Sequence, residues 1–373
     1  MTQTALHEAA PDLAQAHVHY DDGRYAPALH HARRLDRDTP SDASTLRLRC
    51  LAAYRLGELD EAAQSALRLM ALTPHDEQAQ ALRFDVLAVS VMAAADLARF
   101  DQAIEHLHLV QQFAARAGTH AEFVRARATM ARCFALLGDP WAAQRLLAEL
   151  VGQFQVAVNS ERWLEAAVRI HHAGVCLQLA RMARQGGDMV AGDEALDHAR
   201  ASIERTREIA RGLGQQCIAS FADVHAVELA LLDGHQEGAL VLLESAMREA
   251  DGAQLWSHAR QLRLLEAEVL QSRGDQGGAL ELLQAVGRQL NDGHEIGVRI
   301  RYHSQLQRVM AAQGDSAAAQ DQFDRARALA QFRQYRQQRA QSRFLRARLE
   351  LEHLYRYRAE TNGARLTRPG ALV

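Results

Sequence analysis

The chain has 373 residues, of which 48% are hydrophobic and only 5% aromatic, and its formal net charge is −3. This charge excludes a general attraction to nucleic acid or to an anionic membrane. Only six prolines are present, and alternating β-branched runs are missing from the sequence, which argues against a sheet-based fold.

Cysteine usage and the start of the chain predict a reducing compartment. The four cysteines are far apart and form no CxxC motif, so we expect buried free thiols that act as small apolar residues. They are Cys50, Cys133, Cys176 and Cys217. Residues 1–10 lack the charged start and apolar run of a secretory signal, and the most apolar helix, near residues 86–95, is too short to span a bilayer. We therefore expect a cytoplasmic protein.

The first clear pattern along the chain is a repeated helical hairpin. Gly57 predicts a turn between two helices, because glycine tolerates left-handed backbone. Pro74 predicts the end of the second helix, because proline cannot donate its backbone hydrogen bond. Matching residues recur 34 positions apart in three pairs: Gly23 and Gly57, Ala28 and Ala62, Pro40 and Pro74.

Longer hairpins follow. Helices are predicted over residues 78–98, 100–117, 121–137, 141–154 and 160–184, and a loose connection over 186–193 leads to a helix over 194–213. Turn glycines then recur every 40 residues, at Gly234, Gly274 and Gly314. Turns at positions 23, 57, 98, 138, about 190, 234, 274 and 314 predict eight hairpins.

The 34-residue period and its matched glycine, alanine and proline positions resemble the tetratricopeptide repeat. This resemblance implies an all-α fold, a right-handed superhelix of about eight helical hairpins followed by a C-terminal helix. We divide the chain into tetratricopeptide-like repeats at 1–155 and 156–328, which form one continuous solenoid, a basic amphipathic terminal helix at 329–361 and a flexible tail at 362–373.

The same resemblance implies a binding groove. In such arrays the first helix of each hairpin lines the concave surface, and positions ten and six residues before the turn glycine usually face a ligand. With one position a further turn back, the groove candidates are Arg47, Leu51, Arg125, Arg132, Glu228, Glu268, Arg301 and Arg308, together with Ala128, Val224, Leu264 and Ser304. A solvated helix face or a bridge between repeats also explains each charged residue, so the prediction concerns the groove more than any single member.

The terminal stretch differs in charge from the rest. Residues 328–368 contain ten arginines against three glutamates, a net of +7, which leaves about −10 for the remainder. Its apolar positions, expected to form an interface, are Phe344, Ala347, Leu351 and Leu354. The run 346–353 resembles the helix that joins tetratricopeptide sensor regions to GGDEF diguanylate cyclase domains in bacteria. That resemblance implies a signalling role and a homodimer through this helix, here without the cyclase domain because the chain ends at Val373.

The sequence offers no motif for catalysis, a metal or a cofactor. The Gly-Gly-Asp at 186–188 lacks the strand context that a cyclase site requires. Histidine and glutamate never occur in the HExxH spacing, and no P-loop, GxSxG or dinucleotide fingerprint is present. We predict no enzymatic activity, no metal and no cofactor.

The predicted function is non-covalent binding of a protein or peptide in the groove, as a scaffold or regulator in bacterial signalling. All 43 basic residues are arginine; GC-rich codon usage explains this most simply, and an acidic partner is the functional explanation. One alternative is the sensor or dimerisation module of a cyclase-type protein. Another is nucleic-acid binding through the basic helix, where interleaved aromatic residues could stack on bases, although the acidic remainder disfavours it. No membrane partner is expected.

Overall fold

Eight antiparallel helical hairpins make up the described part of the chain. The computed structural model describes residues 3–38, 42–72, 77–116, 120–156 and 162–366. The helices in chain order are α1 Gln3–Asp21, α2 Tyr25–Asp38, α3 Ala43–Leu56, α4 Leu59–Leu72, α5 Glu77–Asp96, α6 Phe100–Arg116, α7 His120–Leu136, α8 Pro140–Val156, α9 Arg162–Gln185, α10 Met189–Gly212, α11 Gln216–Leu232, α12 Gln236–Gly252, α13 Trp256–Ser272, α14 Gln276–Gly287, α15 Ile296–Ala312 and α16 Ser316–Leu366. Each odd-numbered helix packs against the next, so the predicted all-α solenoid of eight hairpins is confirmed. None of the described helices is long and apolar enough to cross a membrane.

One residue in left-handed backbone conformation closes each hairpin. Within the hairpins, positive φ angles occur at positions 23, 57, 98, 138, 187, 234, 274 and 314, which are the predicted turns, with 187 in place of about 190. Gly214 and Gln254, which also have positive φ angles, lie between hairpins. Gly57 has φ 80° and donates its N–H to the carbonyl of Tyr54 at 3.1 Å, which satisfies a carbonyl at the end of α3. Ala98 adopts the same conformation with φ 57° without the freedom of glycine, so we attribute this turn to the packing of α6 on α5.

The prediction of a loose connection over residues 186–193 is wrong. It is a tight turn, because α10 already begins at Met189. Asp188 caps this helix, since its carboxylate accepts a hydrogen bond from the N–H of Ala191 at 3.0 Å. The glycines permit the turn, and the acidic residue ends it after three positions.

The helix predicted to begin at residue 329 has no break there. The second helix of the eighth hairpin, α16, continues through this position to Leu366, because neither glycine nor proline interrupts the sequence from 316 to 362. Of the predicted tail, residues 362–366 end α16 and residues 367–373 lie outside the described residues. Pro40 and Pro74 also lie outside them, two positions after the described ends of α2 and α4.

Small apolar residues allow close packing between the helices. Ala62, Ala63 and Ala66 of α4 are fully buried, so neighbouring helices can approach the backbone there. All four cysteines are buried and free, as the sequence predicted.

The array closes on itself where its second and seventh hairpins meet. A Cβ placed on Gly57 would lie 2.8 Å from the Cβ of Ser257 and 2.9 Å from a guanidinium nitrogen of Arg260, both on α13. One hydrophobic core combines residues of α2–α5 with residues of α11–α13. The N-terminal hairpins therefore share their interior with hairpins about 200 residues later in the chain.

A second closure is made by α16, which returns to α6 and α7. The rings of Phe344 and Phe134 meet edge to face, with centroids 4.7 Å apart. Ala340 is fully buried in the same core. The side-chain amide of Gln337 donates to the carbonyl of Leu136 at 2.8 Å, which caps the end of α7. These contacts convert an open ribbon into a closed array.

A candidate ligand-binding cavity

A cavity of about 540 Å³ lies inside the closed array. The first helices of all eight hairpins line it, as the tetratricopeptide resemblance implied for the groove. One lining residue from each of α1, α3, α5, α7, α9, α11, α13 and α15, in that order, is Tyr20, Arg47, Asp85, Arg125, Trp163, Phe221, His258 and Ile296. Leu59 of α4 and Arg333 of α16 also line it. Its volume is in the range of roughly 300–1,000 Å³ that is typical of ligand pockets.

The cavity brings together five of the eight main groove residues predicted from the sequence. Arg47, Leu51, Arg125, Arg132 and Arg301 line it, as do Ala128 and Leu264. Glu228, Glu268, Arg308, Val224 and Ser304 are not part of its lining. Contact of any of these side chains with a ligand stays a prediction.

One charged cluster in the wall joins α3, α5 and α7. Nε of Arg47 donates to a carboxylate oxygen of Asp85 at 3.2 Å, and Arg125 pairs with the other oxygen. The Arg125 guanidinium also lies over two rings, 5.0 Å from the centroid of Phe84 and 5.7 Å from that of Trp163. Burial alone would raise the pKa of Asp85, but the two arginines outweigh it and hold this pKa below its ordinary value. The cluster is well paired and retains one surplus positive charge.

A second charged cluster is less well balanced. Arg132 lies 3.6 Å from Asp96, its carboxylate partner. Burial raises the pKa of Asp96 to about 6, and the attraction of Arg132 opposes this only in part. Arg333 reaches the same region from α16 and acts on Asp96 from a greater distance. Among the described residues, no carboxylate lies within 4 Å of the Arg333 guanidinium.

Arg55 adds a further positive charge to the cavity wall. A nitrogen of its guanidinium lies 3.7 Å from the thiol sulfur of Cys217, and the part of the chain that the structure describes places no carboxylate within 4 Å of it. An arginine remains charged at any physiological pH. Arg55 is therefore a half-buried cation that faces the cavity without a countercharge.

The half-buried His171 and the buried His258 lie beside these arginines. Burial, with the charges of Arg132 and Arg55, lowers the pKa of His171 to about 3. Burial, with the charge of Arg55, lowers the pKa of His258 to about 3 as well. Nδ1 of His258 lies 3.1 Å from the hydroxyl of Ser220. Both rings are neutral at pH 7, so they offer hydrogen bonds without adding charge.

A third charged cluster lies mostly behind the wall and is balanced. Glu228 is buried and pairs with Arg181 and, at 3.7 Å, with Arg301. Burial alone would raise the pKa of Glu228, but Arg181 and the other neighbouring donors hold it well below its ordinary value. Arg301 also lies 3.4 Å from Glu268. Two of the predicted groove carboxylates thus neutralise arginines instead of facing the cavity.

The cavity lining as a whole is basic. Its arginines are Arg47, Arg55, Arg125, Arg132, Arg301 and Arg333, and its carboxylates are Asp85, Asp96 and Glu295. Six cations line the cavity against three anions. Even with Arg301 neutralised by Glu228 and Glu268 behind the wall, the lining is positive in a chain whose formal net charge is −3. Apolar side chains alternate with them around the wall, among them Leu51, Met92, Trp163 and Phe221. Such a lining offers both ionic and hydrophobic contacts to a ligand.

Sequence reasoning missed the contribution of α5. Its turn residue is Ala98, so the register anchored on glycine was not applied to this hairpin. Counted from Ala98, positions ten, six and thirteen residues earlier are Ala88, Met92 and Asp85, and all three line the cavity. The same spacing would therefore have found them. Arg333 gave no such signal, because it belongs to a second helix.

The predicted terminal-helix interface is used within the chain at the one position that can be examined. Phe344 is 5% exposed and packs on Phe134. Ala347, Leu351 and Leu354 belong to the part of α16 whose side chains lie outside the described residues.

One group of titratable and nucleophilic side chains lies in the core, outside the cavity lining. His172 lies 3.5 Å from the Cys176 sulfur and 2.8 Å from the hydroxyl of Ser202. Burial raises the pKa of the Cys176 thiol to about 12 and lowers that of His172 to about 4, so the pair stays neutral and the thiol is a poor nucleophile. Among the described residues, no group of three or more His, Cys, Asp or Glu side chains could hold a metal ion.

The hairpins, their turns and their inward first helices define a tetratricopeptide-like α-solenoid. The sequence matches no family model and no curated protein. Solved structures do resemble it. A Rap protein complexed with competence and sporulation factor is 12% identical, covers 95% of this chain and 99% of its own, and has a TM-score of 0.55. A monomeric mutant of IFIT1 with Gppp-AAAA is 11% identical, covers 82% of this chain and 68% of its own, and has a TM-score of 0.52. A tetratricopeptide repeat protein from Parabacteroides merdae is 12% identical, with 81% and 98% coverage and a TM-score of 0.43. At these identities the likeness concerns the fold.

Proposed function

We propose that this chain is a non-enzymatic scaffold that binds an acidic protein segment or peptide in its central cavity. The observation that carries the proposal is the charge of the lining, where six arginines face three carboxylates in a chain of net charge −3. A guanidinium group binds a carboxylate through two parallel hydrogen bonds, and this pairing is stronger where water is partly excluded.

The mixed character of the wall favours a peptide over a nucleic acid. Leu51, Met92 and Phe221 offer apolar contacts between the arginines, which suits a segment that carries both apolar and acidic side chains. The Rap structure with its bound factor supports the idea that this type of array can hold a ligand. The IFIT1 structure with Gppp-AAAA makes RNA binding a worthwhile outcome to test.

We extend the proposal to a regulatory role in the bacterial cytoplasm. The likeness of the terminal helix to the connectors of cyclase-linked sensors supports this role, and so does its position, because α16 both closes the array and lines the cavity. A ligand inside could therefore change the helix that a partner outside would contact. Dimerisation through the distal part of α16 belongs to the same proposal.

The test is affinity selection of synthetic peptides by the full chain, read by mass spectrometry. Leu51→Glu places a negative charge in the cavity, and Leu67→Glu makes the same change at a position that is 45% exposed on α4. We expect acidic peptides to be retained by the unmodified protein and by L67E and to be lost by L51E. Equal retention by all three proteins would reject the cavity as the site. Selective retention of an adenine-rich RNA oligonucleotide instead of peptides would replace the proposal with nucleic-acid binding.

A further inference from the structure

When α16 docks against α7, the same helix face places Arg333 in the cavity wall. Arg333, Gln337, Ala340 and Phe344 are spaced four, three and four residues apart and therefore share one face of the helix. The last three contact α7 or its core, as described above. Arg333 lies one turn earlier on that face and lines the cavity. If α16 left its seat, the cavity would lose this cation.

Three arginines from three parts of the chain share too little negative charge. Arg55 on α3, Arg132 on α7 and Arg333 on α16 all line the same cavity. The charges of Arg55 and Arg132 both lower the pKa of the half-buried His171, and those of Arg132 and Arg333 both lower the pKa of Asp96. Asp96, which is 3.6 Å from Arg132, is the one carboxylate in close contact with this group among the described residues. Burial lowers the pKa of Arg333, and Asp96 compensates only in part. Without a bound anion, the docked array therefore holds partly desolvated like charges in the wall of one cavity.

We infer that Arg55, Arg132 and Arg333 form a carboxylate-binding subsite that is complete only when α16 is docked, so that a bound carboxylate and the docked helix stabilise each other. This inference rests on the proposed function, because it names the group through which the acidic ligand is held. The carboxylate can come from the end of a peptide chain or from an Asp or Glu side chain.

The coupling follows from linkage. A carboxylate that interacts with Arg333 binds the docked state more tightly than the undocked one, and by reciprocity it must favour docking. The docked state is already supported by the Phe344–Phe134 contact and by Arg343, which lies 3.2 Å from Asp101 of α6. The bound anion adds to these contacts by removing the repulsion inside. Release of the ligand would favour undocking of α16, which would expose the rings of Phe344 and Phe134 to a partner.

The position of α16 can be measured directly in the full chain. All four native cysteines are buried, so spin labels on Gln153→Cys in α8 and Gln341→Cys in α16, both exposed positions, would report their separation by double electron–electron resonance. The probe is citrate, compared with sodium chloride at equal ionic strength. We expect citrate to narrow the distance distribution. The Arg333→Gln variant should need at least tenfold more citrate, whereas Arg327→Gln, an exposed position on the same helix, should respond like the parent.

The peptide source of the carboxylate is tested with randomised N-acetyl pentapeptide pools. One pool has a free carboxyl terminus, one is amidated, and one is amidated and lacks Asp and Glu. We expect the last pool to bind at least tenfold more weakly than the first, and the amidated pool to show whether the terminus or a side chain is recognised. If the two carboxylate-bearing pools bind the parent and R333Q equally well while the third pool binds at least tenfold more weakly, the subsite is wrong while the proposed function stands. If the pools do not bind but citrate still narrows the distances through Arg333, the proposed function fails and the subsite survives. If citrate has no effect on the parent, the inference is overturned.

Discussion

Two turn glycines with the same backbone shape sit in different surroundings, and this makes them a matched pair for testing the closure of the array. Gly57 has φ 80° and Gly274 has φ 83°. A Cβ on Gly57 would lie 2.8 Å from the Cβ of Ser257, whereas a Cβ on Gly274 would meet nothing within 4 Å. Replacing each glycine with alanine should therefore separate backbone strain from the crowding that closure causes.

The expected magnitudes follow from these surroundings. Alanine in left-handed backbone costs roughly 1–2 kcal/mol at either position. At Gly57 the new methyl group also overpacks the contact with α13, which typically adds roughly 1–3 kcal/mol. The crowded neighbour is the Cβ of Ser257, which cannot swing away as the end of a long side chain can. The turn and α13 must therefore move apart.

The assay is chemical denaturation of the full chain, supported by small-angle X-ray scattering. We expect Gly57→Ala to lose about 1–3 kcal/mol more unfolding free energy than Gly274→Ala. Only G57A should show a larger radius of gyration, because only it acts at the junction. Equal losses and identical scattering for the two variants would refute the reasoning that the second and seventh hairpins are in contact.

Three further predictions concern the terminal helix, acid stability and the cavity charge. Phe344→Ala should increase amide hydrogen exchange along α16, since it removes a buried ring whose loss typically costs roughly 3–5 kcal/mol. The control Leu345→Ala, at a site 48% exposed, should not increase it, and equal exchange in both variants would contradict the docking contact. The pKa values of His171 and His258 are lowered to about 3 from roughly 6.5 in the unfolded chain, so the unfolded state binds more protons below that pH. The contribution of these two histidines to the unfolding free energy should be constant above pH 6.5 and should decrease as the pH drops towards 3. Denaturation midpoints that do not change between pH 7.5 and 5 would argue against neutral rings in the folded protein. Asp85→Asn should strengthen the binding of acidic peptides several-fold in calorimetric titrations, because it frees the two arginines that share this carboxylate; weaker binding would mean that Asp85 contacts the ligand favourably.

Local signals in the sequence were sufficient for the hairpins. Glycine at positions such as 57 and 274 marks a left-handed turn for a steric reason that depends on neighbouring residues only. The turn at Ala98 was placed by spacing alone, and the structure confirms it. The regular spacing of the repeats can therefore locate a turn whose own residue gives no signal.

The closure of the array could not be predicted from the sequence in the same way. Gly57 and Ser257 are 200 positions apart in the chain, and their contact depends on small rotations accumulated over the hairpins between them. The return of α16 has the same origin. Phe344 was recognised as part of an apolar stripe, but nothing nearby in the sequence identifies Phe134 as its partner.

The candidate site was predicted in part for a related reason. The register from the turn glycine predicted Arg47, Arg125 and Arg132 as inward-facing residues from helix geometry, and all three line the cavity. It could not show which charges would be neutralised by neighbours. Arg181 neutralises Glu228, whereas no carboxylate among the described residues lies within 4 Å of the Arg55 guanidinium. This distinction appears only when the hairpins are assembled.

A closed array also fixes how many hairpins can lie between the units that contact one another. An open solenoid can gain or lose a unit at modest cost, because each unit touches only its neighbours and polar caps protect the ends. Here the hairpins near the two ends cover one another, so insertion or deletion of a single unit would rotate the seat of α16 away from α7 and part the second hairpin from the seventh. The number of hairpins between the contacting units is therefore set by geometry, and a related array with a different number of hairpins would need another way to shield its terminal hairpins.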